Sequence, residues 1–158
     1  MNGIGEFQTI LLVEDNPDDE ELTLLAFKNN NIANSIIVVH DGAEALDFLF
    51  RRKAYANRDI RTTPRLVLLD LKLPKLSGLE VLKELRNNEM TRFLPVVILT
   101  TSNQDEDIIN SYKYGANSFI RKPVEFSKFN EAIKSLGLYW LVLNEVPLAT
   151  KTNLIKGT

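Results

Sequence analysis

The chain has no cysteine and only one histidine among its 158 residues. Disulfides, thiol catalysis and thiolate metal sites are therefore excluded, and His40 cannot build a multi-histidine metal centre. Long apolar runs are missing too. The most apolar stretch near the C-terminus, Leu138–Leu143, is far shorter than the roughly 20 residues a membrane-spanning helix needs. Residues Met1 to Gln8 carry no basic stretch ahead of an apolar core, so no signal peptide is legible. Nor does one charge dominate: a formal net charge of −2 argues against a surface that binds nucleic acid over the whole domain. With 44% hydrophobic and 25% charged residues, what remains is the composition of one ordinary globular domain, expected in the cytoplasm.

What is present is an alternation of short apolar runs and helix-period stretches. Ile10–Val13, Ile36–Val39, Leu66–Leu69 and Val96–Leu99 are continuous apolar runs, as strands buried on both faces require; Ser118–Arg121 is a short fifth. Asn16-Pro17 reads as a helix cap followed by proline at the first helical position, with Leu22, Leu25 and Ala26 on one face behind it. Asp41-Gly42 turns into a second helix carrying Ala45, Leu46, Phe48 and Leu49. Ser77 and Glu80 have capping-box spacing ahead of Leu82 and Leu85. A fourth helix over Asp105–Tyr114 stops at Gly115, where a left-handed residue is wanted, and Phe126, Phe129, Ala132, Ile133 and Leu136 stripe a fifth. Residues 51–64 break the rhythm. Polar, basic and closed by Pro64, they read as a long loop.

Five strand–helix repeats predict an α/β fold: a five-stranded parallel sheet, doubly wound, with helices on both faces. Such sheets bind ligands beyond the carboxyl ends of the strands, near the point where strand order reverses. Glu14-Asp15 follows the first strand, Asp70 the third, Thr100-Thr101-Ser102 the fourth and Lys122-Pro123 the fifth. Three carboxylates converging on one edge repel one another unless a hard cation such as Mg2+ shares their oxygens. A lysine and a threonine hydroxyl at the same edge supply a fixed charge and a donor for an incoming phosphoryl group. Taken singly, an aspartate after a strand is more often a turn former, and a Lys-Pro pair a loop. Their joint placement on four of five strand ends is what points to a site.

The pieces Val13-Glu14-Asp15-Asn16, Leu69-Asp70-Leu71-Lys72-Leu73-Pro74 with Gly78, Leu99-Thr100 and Lys122-Pro123 resemble the receiver domains of bacterial response regulators, the chemotaxis-regulator-like family. The intervals of 30 residues from Asp70 to Thr100 and 52 from Asp70 to Lys122 fit the same pattern. The resemblance covers residues 8–137 and leaves 138–158 as a C-terminal extension. It implies a flavodoxin-like fold in which Asp70 accepts a phosphoryl group from a sensor histidine kinase. Asp15 and Asp70 would bind Mg2+ directly, Glu14 through water, with the Lys72 backbone carbonyl completing the set. Lys122 would pair with phosphoryl oxygens, Thr100 would donate to one of them, and Phe119 falls at the aromatic switch position. The output would be a changed protein-binding surface around the fourth strand, fourth helix and fifth strand, which makes the domain a regulator rather than an enzyme. Two features stand apart. Glu14 lengthens the reach of the acidic pair, and Lys72 is either a solvated lysine or a cation that alters attack of water on the acyl phosphate.

The residues after Leu136 contain no helix-turn-helix pattern, so signalling through a downstream protein, without nucleic acid or membrane, is expected. Leu138-Tyr139-Trp140-Leu141-Val142-Leu143, followed by Pro147, is more apolar than a free tail. It is either a last helical turn folded on the domain or, as we prefer, a homodimer contact. This extension, with the lengthened segment before the third strand, is similar to the small stand-alone regulators paired with cyanobacterial and bacterial phytochromes. The cluster Arg51, Arg52, Lys53, Arg58, Arg61 and Arg65 reads as a solvated loop, with a kinase-docking or anionic-partner surface as the alternative. His40 reads as a structural turn residue. Two other classes share parts of the pattern. A phosphatase with an aspartyl intermediate would carry an Asp-x-Asp motif where this chain has Glu14-Asp15-Asn16-Pro17, and a degenerate interaction module would have lost the acceptor, acid pair or lysine that stand here.

Overall fold

The apolar runs form the strands β1 (Thr9–Val13), β2 (Ile36–Val39), β3 (Pro64–Leu69), β4 (Val96–Thr100) and β5 (Ser118–Arg121). This is a computed structural model, which describes residues 9–145 apart from Ala33, Val124 and the side chain of Arg61. Residues 1–8 and 146–158, Pro147 among them, lie outside the described residues. All five strands are parallel, in the order β2-β1-β3-β4-β5. The chain winds one way from β1 to β2, then returns past β1 to β3. That reversal opens a crevice beyond the carboxyl ends of β1 and β3. Val13 is in register with both Val39 and Leu69, and the Asp70 amide donates to the Val13 carbonyl at 3.2 Å. The residues that follow β1 and β3 therefore emerge side by side.

Four helices connect the strands, α1 (Pro17–Asn29), α2 (Gly42–Leu49), α3 (Gly78–Asn87) and α4 (Asp105–Lys113), and α5 (Phe126–Gly137) follows β5. Their starts are set by the residues the sequence offers. Asn16 Oδ1 accepts from the amides of Asp18 and Asp19 at 2.9 and 3.1 Å, Asp41 caps α2, and Ser77 with Glu80 closes a reciprocal capping box. Gly115 stops the chain after α4 at φ +104°. Gly78 is required by contact rather than by φ, since a Cβ there would lie 2.1 Å from the Asp70 carbonyl oxygen.

Alternation along the strands makes two cores. Leu11, Val13, Val67, Leu69, Val96 and Ile98 face α2 and α3, meeting Ala45, Phe48, Val81, Leu82 and Leu85. Ile10, Leu12, Leu66, Leu68, Val97 and Leu99 face α1 and α5, meeting Phe27, Phe129, Ile133 and Leu136. Each such side chain contributes about 1.5–3 kcal/mol by leaving water, so these four helices are firmly held. Helix α4 is not. Its one buried residue is Ser111, and it exposes Ile109 and Tyr112.

Two regions differ from the sequence expectation. Residues 51–64 contain two 3-10 turns, Lys53–Tyr55 and Ile60–Thr62. Arg58 is half-buried rather than free in solvent: its Nε donates to the Phe48 carbonyl at 2.9 Å, and its guanidinium stacks 4.4 Å above the Phe48 ring. It thereby gives a second, shorter hydrogen bond to a carbonyl at the end of α2 that otherwise takes the Arg51 amide at 3.3 Å. Arg65 likewise turns inward and donates to the Asn144 carbonyl at 3.2 Å. At the C-terminus α5 runs on into a π-helical turn, Leu138–Leu143, which divides the extension into two stripes. Leu141 is buried and Trp140 packs on the α1/α5 core, whereas Leu138, Tyr139, Val142 and Leu143 are exposed.

One half-buried guanidinium ties together the loops after α3 and α4. Arg86 donates to the carbonyls of Gly115, Thr91, Arg92 and Leu94 and to Asn117 Oδ1, all at 2.9–3.1 Å. Removing it would leave several of these acceptors without a partner. Arg86→Ala is expected to cost about 3 kcal/mol in urea unfolding. A loss below about 1 kcal/mol, the value of one ordinary hydrogen bond, would contradict this account.

Candidate functional site

At the crevice, the first residues past β1 and β3 turn their carboxylates toward the first residue past β5. Glu14 is almost wholly buried; its Oε1 accepts a hydrogen bond from Lys122 Nζ and its Oε2 accepts from the Asn16 amide at 3.2 Å. Asp70 Oδ1 accepts from the Leu71 amide at 2.7 Å, and its Oδ2 lies 3.7 Å from Lys122 Nζ. Asp15 is exposed, yet one oxygen each from Glu14, Asp15 and Asp70 fall within 4.8 Å of one another. This all-oxygen, three-carboxylate set suits a hard divalent cation.

The charges here are strongly perturbed. Burial pushes the Glu14 carboxyl up to about 7, against the pull of the Lys122 ammonium. Burial alone would lower Lys122, but the hydrogen bond to Glu14 and the charges of Asp70, Glu14 and Asp19 outweigh it and hold its pKa above the ordinary lysine value. Asp19, one turn into α1, stands 3.4 Å from the ammonium. Three carboxylates thus surround one buried cation.

Comparison with known proteins places this geometry. The family model of the response regulator receiver domain matches residues 10–134. The chain belongs to that family. Response regulator Rcp1 of Synechocystis sp. is 35% identical over 142 residues, 90% of this chain and 95% of that one. The crystal structure of its Mn2+-bound form superposes with a TM-score of 0.80 over 89% of this chain and 99% of that one. The phosphorylated cyanobacterial phytochrome response regulator RcpA is 36% identical with a TM-score of 0.81, covering 89% and 98% of the two chains. The bacteriophytochrome response regulator AtBRR is 50% identical with a TM-score of 0.71, covering 88% and 99%. The flavodoxin-like fold and a role in two-component signal transduction are those of this receiver domain.

Of the residues expected at the receiver site, the structure brings Glu14, Asp15, Asp70 and Lys122 together directly. Thr100 ends β4 on the same edge: it is buried, its Oγ1 accepts from the Ser102 amide at 3.3 Å, and its carbonyl accepts from the Lys122 amide at 2.7 Å. Phe119 is half-buried on β5 and packs against the α2/α3 core. Lys72 is exposed, two residues beyond Asp70. His40 lies outside this cluster, with Nε2 2.9 Å from Glu20 Oε1 and its amide donating to Glu44. Sequence reading missed Asp19. Its one signal was the i, i+4 spacing from Asp15 across a helix start, and an acidic first turn is explained equally well by the helix dipole.

A raised carboxyl pKa has a definite sign for stability. The folded state holds the Glu14 proton more tightly than the unfolded chain. The contribution is full below about 4.5, the ordinary value, and is lost as pH rises through about 7. With chelator present, the unfolding free energy of the parent should fall between pH 5 and 7.5 relative to Glu14→Gln. A difference that stays flat or grows with pH would contradict the buried, only partly compensated state of Glu14.

Proposed function

We propose that this receiver domain accepts a phosphoryl group on Asp70 from the phosphohistidine of a sensor histidine kinase and converts it into a changed protein-binding surface. The observation that carries the reading is the Asp70 carboxylate at the switch point, 3.7 Å from a buried ammonium and clustered with Glu14 and Asp15. An Asp70 oxygen attacks phosphorus, the phosphorus–nitrogen bond to the kinase imidazole breaks, and the imidazole takes up a proton as it leaves. Asp15, Asp70 and the Lys72 carbonyl would hold Mg2+, with Glu14 acting through water; when bound, it neutralises charge on the transferring group. Lys122 supplies a fixed positive charge beside the acceptor, so the chain contributes mainly positioning and electrostatics.

Phosphorylation adds about −1.5 to −2 charge at Asp70. The Thr100 hydroxyl, whose present partner is one backbone amide, is drawn to a phosphoryl oxygen and takes the loop after β4 with it. Phe119 moves into the space Thr100 leaves, and α4, the helix with least buried surface, shifts. The kinase partner is of the phytochrome type, the readout a downstream protein, and the setting the cytoplasm; similarity to regulators described as phytochrome and bacteriophytochrome response regulators supports this. The exposed stripe Leu138, Tyr139, Val142 and Leu143 serves a two-fold homodimer, since a closed self-complementary contact removes this apolar area from water.

Incubation with acetyl phosphate and a divalent cation should add one phosphoryl group per chain by mass spectrometry, and none to Asp70→Asn. Labelling of another carboxylate in that variant, or many turnovers per chain, would sink the assignment. Lys122→Ala should still fold and bind Mg2+ while losing the coupling of phosphorylation to α4. Val142→Asp/Leu143→Asp, which spares the buried Leu141, should give a monomer in light scattering with Asp70 labelling intact. A monomeric parent at tens of micromolar, with and without acetyl phosphate, would overturn the dimer.

A further inference from the structure

Six of the chain's 19 lysines and arginines fall within residues 51–65, against one carboxylate, Asp59. Arg58 and Arg65 are spent inside the fold, as described above. Arg51, Arg52 and Lys53 are exposed. They follow the C-terminus of α2, at the sheet edge opposite Asp70, so nothing in phosphoryl transfer accounts for them.

Two of the three sit in a backbone conformation that favours glycine: Arg51 at φ +53° and Lys53 at φ +50°. Arg51 is the residue just after the C-cap of α2, where glycine would fit without a Cβ penalty. The chain carries cations there instead. The tripeptide is also held in place. The Arg52 amide donates to the Asp47 carbonyl at 2.8 Å and its guanidinium lies 4.7 Å over the Phe50 ring. Just beyond, Tyr55 donates its hydroxyl to Glu44 at 2.7 Å and sets its ring edge-on to Phe48 at 5.1 Å. Arg58 locks the following turn. A solvated loop needs none of these anchors.

Beside Arg52 a cleft of about 450 Å³ opens between α2 and α3. Leu46 and Leu76 line it together with Arg52, Lys83, Glu80 and Glu84. This mixture selects among anionic partners. A polyphosphate chain or an anionic membrane would meet Glu80 and Glu84 as well as the cations. A polypeptide is not uniformly anionic: it can set carboxylates on Arg51, Arg52 and Lys53, an apolar side chain on the two leucines and a basic side chain on Glu80 and Glu84.

We propose that Arg51, Arg52 and Lys53, with the adjoining α2–α3 cleft, form a docking surface for an acidic, apolar-anchored segment of a partner protein. The surface is built independently of the phosphorylation site, and its occupancy does not require a phosphoryl group on Asp70.

The test uses the full chain and a fluorescein-labelled peptide rich in glutamate that also carries leucines and a lysine, followed by anisotropy. Saturable binding is expected, weakening as salt screens the charges. Arg51→Gly/Lys53→Gly should bind about tenfold more weakly, the scale of losing two exposed charge contacts. The same variant should keep or raise the thermal midpoint, because glycine relieves both left-handed residues, and should keep acetyl-phosphate labelling of Asp70. Should glycine loosen the turn, Arg51→Asn/Lys53→Asn retains tolerance for positive φ and removes only the charge; it should show the same loss. Absence of saturable binding would overturn the proposal. So would undiminished binding by both variants, or tighter binding of an oligonucleotide or of phosphatidylserine vesicles than of the peptide.

Discussion

The ammonium of Lys122, buried among Glu14, Asp70 and Asp19, is the contact on which the acidic edge of the sheet depends. Carboxylates this close cannot all be ionised without compensation, and burial makes the cost larger. One cation offsets part of it, and the upward shift of Glu14 records the part left over. This is an edge that gains from a divalent cation and from any rearrangement that spreads its charge. It is held together in one arrangement without being at rest there.

The topology explains why such an edge can be tolerated. Strands β1 and β3 are buried on both faces, so the chain can end them in charged residues that reach out of the core at one point. The cores on the two faces fix four helices. They leave α4 with a single buried serine, and Thr100 and Phe119, the residues proposed to switch, flank that helix on β4 and β5. Local stability is thus lowest beside the site of charge change. That is where a population shift meets the least resistance.

Much of this was legible in the residues. Continuous apolar runs marked four of the five strands because a doubly covered sheet has no polar face to encode, and the strand-end residues followed from the topology. What sequence could not give was direction. Arg58, Arg65 and Arg86 look like solvent-facing cations, yet each turns inward to satisfy backbone carbonyls at loop ends, a demand set only by tertiary placement. Asp19 was missed as a partner of Lys122 because an acidic residue in the first turn of a helix is already explained by the helix dipole. The apolar extension was read as one surface, whereas the helical path divides it between Leu141 inside and Tyr139 and Val142 outside.

The central claim is that charge placed on Asp70 is read out through β4, α4 and β5. Hydrogen–deuterium exchange of the full chain, with and without acetyl phosphate and a divalent cation, tests it most directly. The account predicts altered exchange across residues 96–121, with the α1/α5 face unchanged, and no such change in Asp70→Asn. Exchange that stays the same in the phosphorylated chain, or that changes equally in Asp70→Asn, would contradict it.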